Sequence, residues 1–253
     1  MNREEYAAMY RLEDTHWWFL ARRDLVLTAL RRLLPSKKPG DAPPRLLDLG
    51  CGTGGTLERL RPLGQAVGLD LEPLALAFCR ERGHDRLVRG SATALPFRDN
   101  TFDFVLALDV LEHIADHETA AREIARVLAP GGYAVITVPA YQSLWSRHDV
   151  ALMHQRRYRA GQVRRLLTRT AGLRVTHLTY TVSALLPAVW AVRTLQRRLR
   201  PHAPPRADVA PTPALLNRLL RVLLHGESRL ALRTRLPFGV TVFALARKPG
   251  ANE

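Results

Sequence analysis

Cysteine is scarce in this chain, with only Cys51 and Cys79 among 253 residues. Two cysteines give no disulfide framework, so stability must come from a packed core, and a reducing compartment fits. Long apolar runs are also missing. The longest, VSALLPAVWAV at 182–192, is broken by Pro187 and falls short of the roughly 20 apolar residues that span a bilayer. The opening residues, MNREEYAAMYRLEDTHWWF, have no apolar segment of the signal-peptide kind. The expectation is a cytoplasmic protein that meets a membrane only peripherally, at the inner face. Acidic residues are the third shortage, and a local one. Residues 1–150 hold 19 Arg+Lys against 20 Asp+Glu, whereas residues 151–253 hold 19 against 3. A basic segment of that kind points to an anionic partner, a membrane surface or a nucleic acid. Compositional bias explains Arg over Lys, but not why acids nearly vanish after Asp149.

What is present reads as a globular protein, with 47% apolar and 24% charged residues. The length suits one α/β domain with an elaboration. Residues 1–34 predict one or two helices, with aromatic His16-Trp17-Trp18-Phe19 followed by Leu25, Val26, Ala29, Leu30 and Leu33 at helical spacing. PSKKPGDAPP (35–44) reads as a linker, which closes an N-terminal helical cap over 1–44. From Arg45 the strands RLLDLG, AVGLD, RLVRG, FDFVLAL and YAVITVP alternate with helices near 56–61, 73–82 and 116–128. That alternation implies right-handed crossovers and a parallel sheet, an α/β doubly wound core over 45–180. A helix at 160–171 and a strand near 173–180 follow, and GVTVFALAR (239–247) reads as the last strand, within a closing segment 237–253. Between them, 181–236 is a basic helical insert. Its residues 214–225 set Leu215, Leu216, Leu219, Leu220, Leu223 and Leu224 on one helical face and Asn217, Arg218, Arg221 and His225 on the other.

The strongest chemical signal is LLDLGCGTGG at 46–55. A strand ending at Asp48 enters a turn rich in glycine, where a ligand approaches the backbone without Cβ obstruction. Alone, Gly50-x-Gly52-x-x-Gly55 also fits a dinucleotide fingerprint, and Asp70 at the end of the next strand fits either ligand as acceptor for ribose hydroxyls. Asp48 separates the two readings. Its carboxylate would repel a pyrophosphate but would suit a ligand carrying a sulfonium and an α-ammonium.

Together with VGLDLE (67–72), GSATALPFRDNTFDFVLALDVLEHI (90–114) and LAPGGYAVITVP (128–139), this segment resembles class I S-adenosylmethionine-dependent methyltransferases. The likeness covers about 45–180 and is nearest to the broad group that includes the ubiquinone and menaquinone methyltransferases. It implies a Rossmann-like sheet of seven strands, the last antiparallel beside the sixth, and S-adenosyl-L-methionine as cofactor. Asp48, Gly50, Cys51, Gly52 and Gly54 would hold the methionine moiety, and Asp70 the ribose. Ser91 stands where most relatives have an adenine-binding Asp; either its hydroxyl accepts in that place or it is a plain loop residue. Ala92, Leu71 and Leu95 would complete the adenine wall, and Leu108 and Asp109 would border the sulfonium. THWWFLARR (15–23) resembles a stretch in a subset of these enzymes linked to envelope lipid or glycan pathways. There Trp17 and Trp18 either line a lid or pack the helix onto the sheet, and Arg22 would meet the cofactor carboxylate.

Methyl transfer is an in-line displacement that needs alignment and, for a hydroxyl or protonated amine, a base. His154 is the favoured catalytic residue, with His148 and Asp109 as further candidates. Arg156, Arg157 and Tyr158 would equally hold a substrate phosphate or carboxylate. Asp109, Glu112 and His113 fall at i, i+3 and i+4 and would cluster on a helix. Quinone O-methyltransferases allow a divalent metal there, but VLEHI also occurs in metal-free relatives, and no metal is expected. The expected acceptor is a lipid-like or lipid-linked small molecule at the cytoplasmic membrane face, reached through 181–236. The alternatives are a nucleic-acid methyltransferase and a non-catalytic binding module. Against nucleic acid, ALDV replaces the Asn/Asp-Pro-Pro-aromatic tetrad and the basic region has few aromatics for stacking. The Leu-rich insert would alternatively form a homodimer interface.

Overall fold

The computed structural model describes residues 3–34, 40–199, 204 and 210–250. Parts of the 35–44 linker and most of the Pro-rich connector at 201–213 lie outside the described residues. The strands of the core are β1 (Arg45–Leu49), β2 (Gln65–Asp70), β3 (Leu87–Arg89), β4 (Phe102–Leu108), β5 (Leu128–Pro139), β6 (Arg174–Thr181) and β7 (Thr241–Arg247). They form one sheet in the order β3-β2-β1-β4-β5-β7-β6. The first five pair in parallel, and β7 runs antiparallel between β5 and β6.

The apolar strand sequences arise because the inner strands are covered on both faces. In β4, Phe104, Leu106 and Leu108 join Leu46 of β1 and Val135 of β5 on one face. Val105 and Ala107 join Leu47, Leu49 and Ile136 on the other. The first face is covered by α2 (Trp17–Leu33), through Leu25, Val26, Ala29 and Leu30, and by α3 (Gly55–Leu60). The second is covered by α5 (His117–Val127), whose N-cap Asp116 accepts from Thr119 N at 3.0 Å and whose Ala120, Ala121, Ile124 and Val127 are buried.

The amino-terminal segment forms two helices, α1 (Arg3–Leu12) and α2, separated by a turn at Glu13–His16. Helix α4 (Pro73–Glu81) follows β2, with Pro73 in its first turn, where no N–H is needed. After β5 come the short α6 (Arg147–Ala151) and α7 (Ala160–Arg165). The helix expected over 160–171 changes character at Leu166, continuing to Thr170 with π-type bonding.

The insert contains α8 (Leu186–Leu199) and α9 (Ala214–Ala231). α9 lies alongside α2 in the same direction. Asn217 Oδ1 accepts from Trp17 N at 2.8 Å, His225 Nδ1 stands 3.6 Å from Asp24, and Arg32 donates to the Leu232 carbonyl at 3.1 Å. On α9 it is polar residues, Asn217 and His225, that meet α2. Polar Asn217 turns inward because it satisfies a free N–H at the start of α2. Leu215, Leu216, Leu219, Val222 and Leu223 are exposed, and Leu224, Ser228 and Ala231 are buried. Among the described residues no helix is long and apolar enough to cross a membrane.

Candidate active site

The sheet order reverses between β1 and β4, and in such folds the crevice beyond the strand ends at that point receives the ligand. A cavity of about 760 Å³ opens there. Asp48, Gly50, Cys51, Gly52, Asp70, Leu71, Ser91, Ala92, Leu108, Asp109 and Arg22 all line it, and so do His148 and His154. Gly54 does not; it caps α3 behind the turn with φ +88°. Leu95 is also off the wall, 4% exposed and buried in the core under α5.

The turn after β1 is built for close approach. Gly50 has φ +70°, and a Cβ there would lie 2.6 Å from Val110 Cγ2. A Cβ on Gly52 would meet Met9 Cε at 2.9 Å. Gly50 N and Cys51 N donate to the Leu69 carbonyl at 2.7 and 3.0 Å, which ties the turn to the end of β2. Gly52 N donates to Asp70 Oδ2 at 2.9 Å, and Glu72 N to Asp70 Oδ1 at 2.9 Å. Each Asp70 oxygen keeps a further lone pair for a ligand hydroxyl.

Asp48 is 2% exposed, and its Oδ2 has no hydrogen-bond partner. Burial pushes its carboxyl up to about 7, against the pull of Arg22. A buried carboxylate oxygen with nothing to accept from requires an explanation. A cationic ligand group in the cavity supplies it, and an α-ammonium fits. The glycine turn that a Cβ would fill is the second feature that fits S-adenosyl-L-methionine.

At the far end, Asp109 has φ +56°, an unusual backbone state for a residue with a side chain. It is held there by the Arg22 guanidinium on Oδ2 and by Thr137 Oγ1 on Oδ1 at 3.0 Å. Arg22 therefore faces Asp109 instead of standing ready for a carboxylate, and each Asp109 oxygen already accepts one hydrogen bond. The helical cluster of Asp109, Glu112 and His113 does not form, because only Leu111–His113 make a 3₁₀ turn and Asp109 lies outside it. Glu112 turns inward and is fully buried with neither oxygen bonded, and burial raises its carboxyl well above the usual range. His113 and His154, not Asp109, approach it, all three ligand atoms lying within 4.8 Å of one another. Burial, then the neighbouring His154, lowers His113 to about 4.

His154 Nδ1 is 2.9 Å from Asp149 Oδ1. Asp149 is fully buried and also accepts from Arg157 Nε at 2.7 Å and Ser146 N at 2.8 Å. Burial alone would raise this carboxyl, but the bonds from His154 and Arg157 hold it well below the carboxylate range. Arg156 and Tyr158 are not free for a substrate. Arg156 binds the carbonyls of Ile114 and Ala115 at 3.0 and 2.9 Å, and the Tyr158 hydroxyl binds His117 and the Leu111 carbonyl at 2.6 and 3.1 Å. Ser91 is held in a local turn with Thr93, Oγ to Oγ1 at 2.8 Å.

Three contributions escaped sequence reasoning. Tyr6, Met9 and Glu13 bring α1 and the turn after it into the cavity wall, and Arg193 brings α8. Glu13 accepts from Thr53 Oγ1 and, at 2.9 Å, from Arg82, which also reaches Asp14 at 2.6 Å and lies 4.5 Å over the Tyr10 ring. No local pattern announces these pairs, since the partners are far apart in the chain. Of the two tryptophans, Trp18 lines the cavity and Trp17 donates to α9.

Comparison with known proteins agrees with this geometry. Residues 47–136 match the methyltransferase domain family. Norajmaline N-methyltransferase of Rauvolfia serpentina is 39% identical over 119 residues, covering 44% of this chain and 39% of that protein. Demethylmenaquinone methyltransferase of Thermus thermophilus is 40% identical over 103 residues, covering 38% and 47%. The chain thus spans less than half the length of these curated relatives. Among solved structures, a chain from the complex between the Haloferax volcanii Trm112 methyltransferase activator and a methyltransferase superposes with a TM-score of 0.61. It is 23% identical and covers 99% of this chain and 97% of that one, a likeness of fold. With the seven-stranded sheet, the glycine turn and the two strand-end carboxylates already in place, residues 47–136 belong to the class I S-adenosylmethionine-dependent methyltransferase domain family.

Proposed function

We propose that this chain transfers a methyl group from S-adenosyl-L-methionine to a small-molecule, lipid-like acceptor met at the cytoplasmic face of a membrane. The observation that carries the reaction type is one cavity that joins Asp48, whose Oδ2 is unpartnered, and the ribose-type acceptor Asp70 to His154, which is paired behind the wall with Asp149. When bound, the cofactor supplies a methyl carbon activated by its sulfonium. The chain's own work is placement and proton removal. Asp48 and the glycine turn hold the methionine end, Asp70 takes the ribose, and the Arg22–Asp109 pair with Leu108 frames the reacting atoms. His154, with Asp149 on Nδ1, takes the acceptor's proton on Nε2. His148 lines the same end of the cavity as a second proton-accepting group.

Support for a lipid-like acceptor comes from the insert. Trp190, Val192, Leu195 and Leu199 of α8 are exposed, as are six large apolar side chains of α9. Arginines 197, 198, 218, 221 and 229 are exposed on the same two helices. Apolar side chains flanked by arginine suit the interface of an anionic membrane.

Calorimetry with S-adenosylhomocysteine tests the cofactor reading. Micromolar binding is expected, and Asp48→Asn should weaken it by about 10- to 100-fold by removing a charge-assisted hydrogen bond to the α-ammonium. No binding by the wild-type chain at millimolar ligand would overturn it.

A further inference from the structure

We propose that Arg193, on insert helix α8, is a positioning residue for the Asp149–His154 pair, so that the acceptor end of the site is complete only when the insert is seated. The inference rests on the reading of His154 as the proton acceptor. It starts from an oddity of α8: among its described residues the one buried side chain is an arginine. Trp190, Val192, Leu195 and Leu199 of the same helix are all more than half exposed. A helix normally turns its apolar side chains to the protein body. This one turns them away and anchors itself by a guanidinium, whose burial is unfavourable unless paired and hydrogen-bonded.

The partners of Arg193 lie in the site itself. Its Nη1 donates to the Leu144 carbonyl and stands 3.7 Å from Asp149 Oδ2. Asp149 Oδ1 receives His154 Nδ1 and Arg157 Nε, and Oδ2 receives Ser146 N. Arg193 thus places its charge beside Oδ2, the oxygen that neither Arg157 nor His154 bonds, and so adds to the hold on the carboxylate that orients the imidazole. It acts also through the chain, because Leu144 ends the 3₁₀ turn Gln142–Leu144 just before Ser146, the cap of α6. Arg197, one turn further along α8, donates to the Ser143 carbonyl at 3.2 Å but is exposed and does not reach Asp149. At the other end of α8, Glu227 of α9 holds Ser183 N and Ala184 N at 2.9 Å each. The insert is therefore tied to the catalytic end by polar contacts, and the helix whose apolar face is free carries the residue that orders the base.

The imidazole Nδ1–H resonance of His154, assigned with His154→Gln, tests this without knowledge of the acceptor. In wild type a downfield, slowly exchanging signal is expected from the bond to Asp149. Arg193→Met should abolish it, Arg193→Lys should restore it in part, and Arg197→Met should leave it intact. S-Adenosylhomocysteine affinity should stay within twofold in Arg197→Met, because Arg197 does not line the cavity. A folded Arg193→Met protein with the wild-type signal would overturn the proposal. If that variant fails to fold, Arg193→Gln decides, since it keeps a donor for Leu144 and loses the charge. At least a tenfold faster exchange of the Nδ1–H supports the proposal, and an unchanged rate overturns it. Failure of wild type to bind S-adenosylhomocysteine would remove the methyltransferase reading instead, and that arm is read separately.

Discussion

At the scale of single residues, Asp48 makes the sharpest prediction. Its carboxyl has an ordinary value near 3.8 and is pushed up to about 7 by burial. A group raised in the folded state contributes stability that is complete below its unfolded value and is lost as pH rises through the folded one. Without ligand, wild type should therefore lose up to roughly 4 kcal/mol relative to Asp48→Asn between pH 4 and pH 8. Urea denaturation of both proteins across that range measures the difference, and parallel curves would refute it. Ligand binding has the opposite slope, since the ammonium needs the ionised carboxylate. Affinity for S-adenosylhomocysteine should rise from pH 5 to 7 by up to about tenfold per unit, and the slope should be absent in Asp48→Asn.

At the scale of elements, the turn joining α1 to α2 is fastened to the cofactor turn through Arg82. Its guanidinium bonds Glu13, Asp14, the Tyr10 carbonyl and the Thr53 carbonyl, the last at 2.8 Å. Arg82→Met would leave Glu13, 8% exposed, without its cation. We expect a loss of about 2–3 kcal/mol and weaker S-adenosylhomocysteine binding, because Met9 and Tyr6 would leave the cavity wall. Thermal denaturation with and without ligand reads both effects, and an unchanged melting temperature would contradict them. This latch also marks where sequence reading stops. Every strand of the sheet was legible, because β1, β4 and β5 are nearly continuous apolar runs and the glycine turn follows β1 directly. The carboxylates at the strand ends were legible for the same reason. Glu13 with Arg82, and Arg193 with Asp149, were not, since each pair is made by tertiary packing across distant segments. The Asp109–Glu112–His113 cluster failed on a backbone state. Asp109 at φ +56° leaves the helical spiral that the spacing assumed. In α9 the apolar pattern was correct, but pattern alone does not say which face docks, and Asn217 decided that by capping α2.

For the molecule as a whole, charge and apolar exposure fall in the same place. The excess of 19 basic over 3 acidic residues lies in 151–253, and that region supplies α8 and α9 with their exposed leucines. Either feature alone has an ordinary explanation: basic surface binds any polyanion, and exposed leucine suits a subunit interface. Their combination favours an anionic lipid surface, where both contribute at once. Vesicles containing about one-third phosphatidylglycerol should therefore co-sediment the protein at near-physiological salt, where the Debye length is about 8 Å and weak surface attraction is screened. Neutral vesicles should do so far less. Replacing Leu215, Leu219 and Val222 together by Ser should remove vesicle binding and leave S-adenosylhomocysteine affinity unchanged, because none of the three lines the cavity. Concentration-dependent dimerisation lost in the same triple variant, with no vesicle binding by wild type, would instead assign this face to a second copy of the chain. Steeply salt-dependent RNA binding without vesicle binding would reassign the basic half to nucleic acid, since phosphate contacts weaken with salt whereas apolar insertion does not.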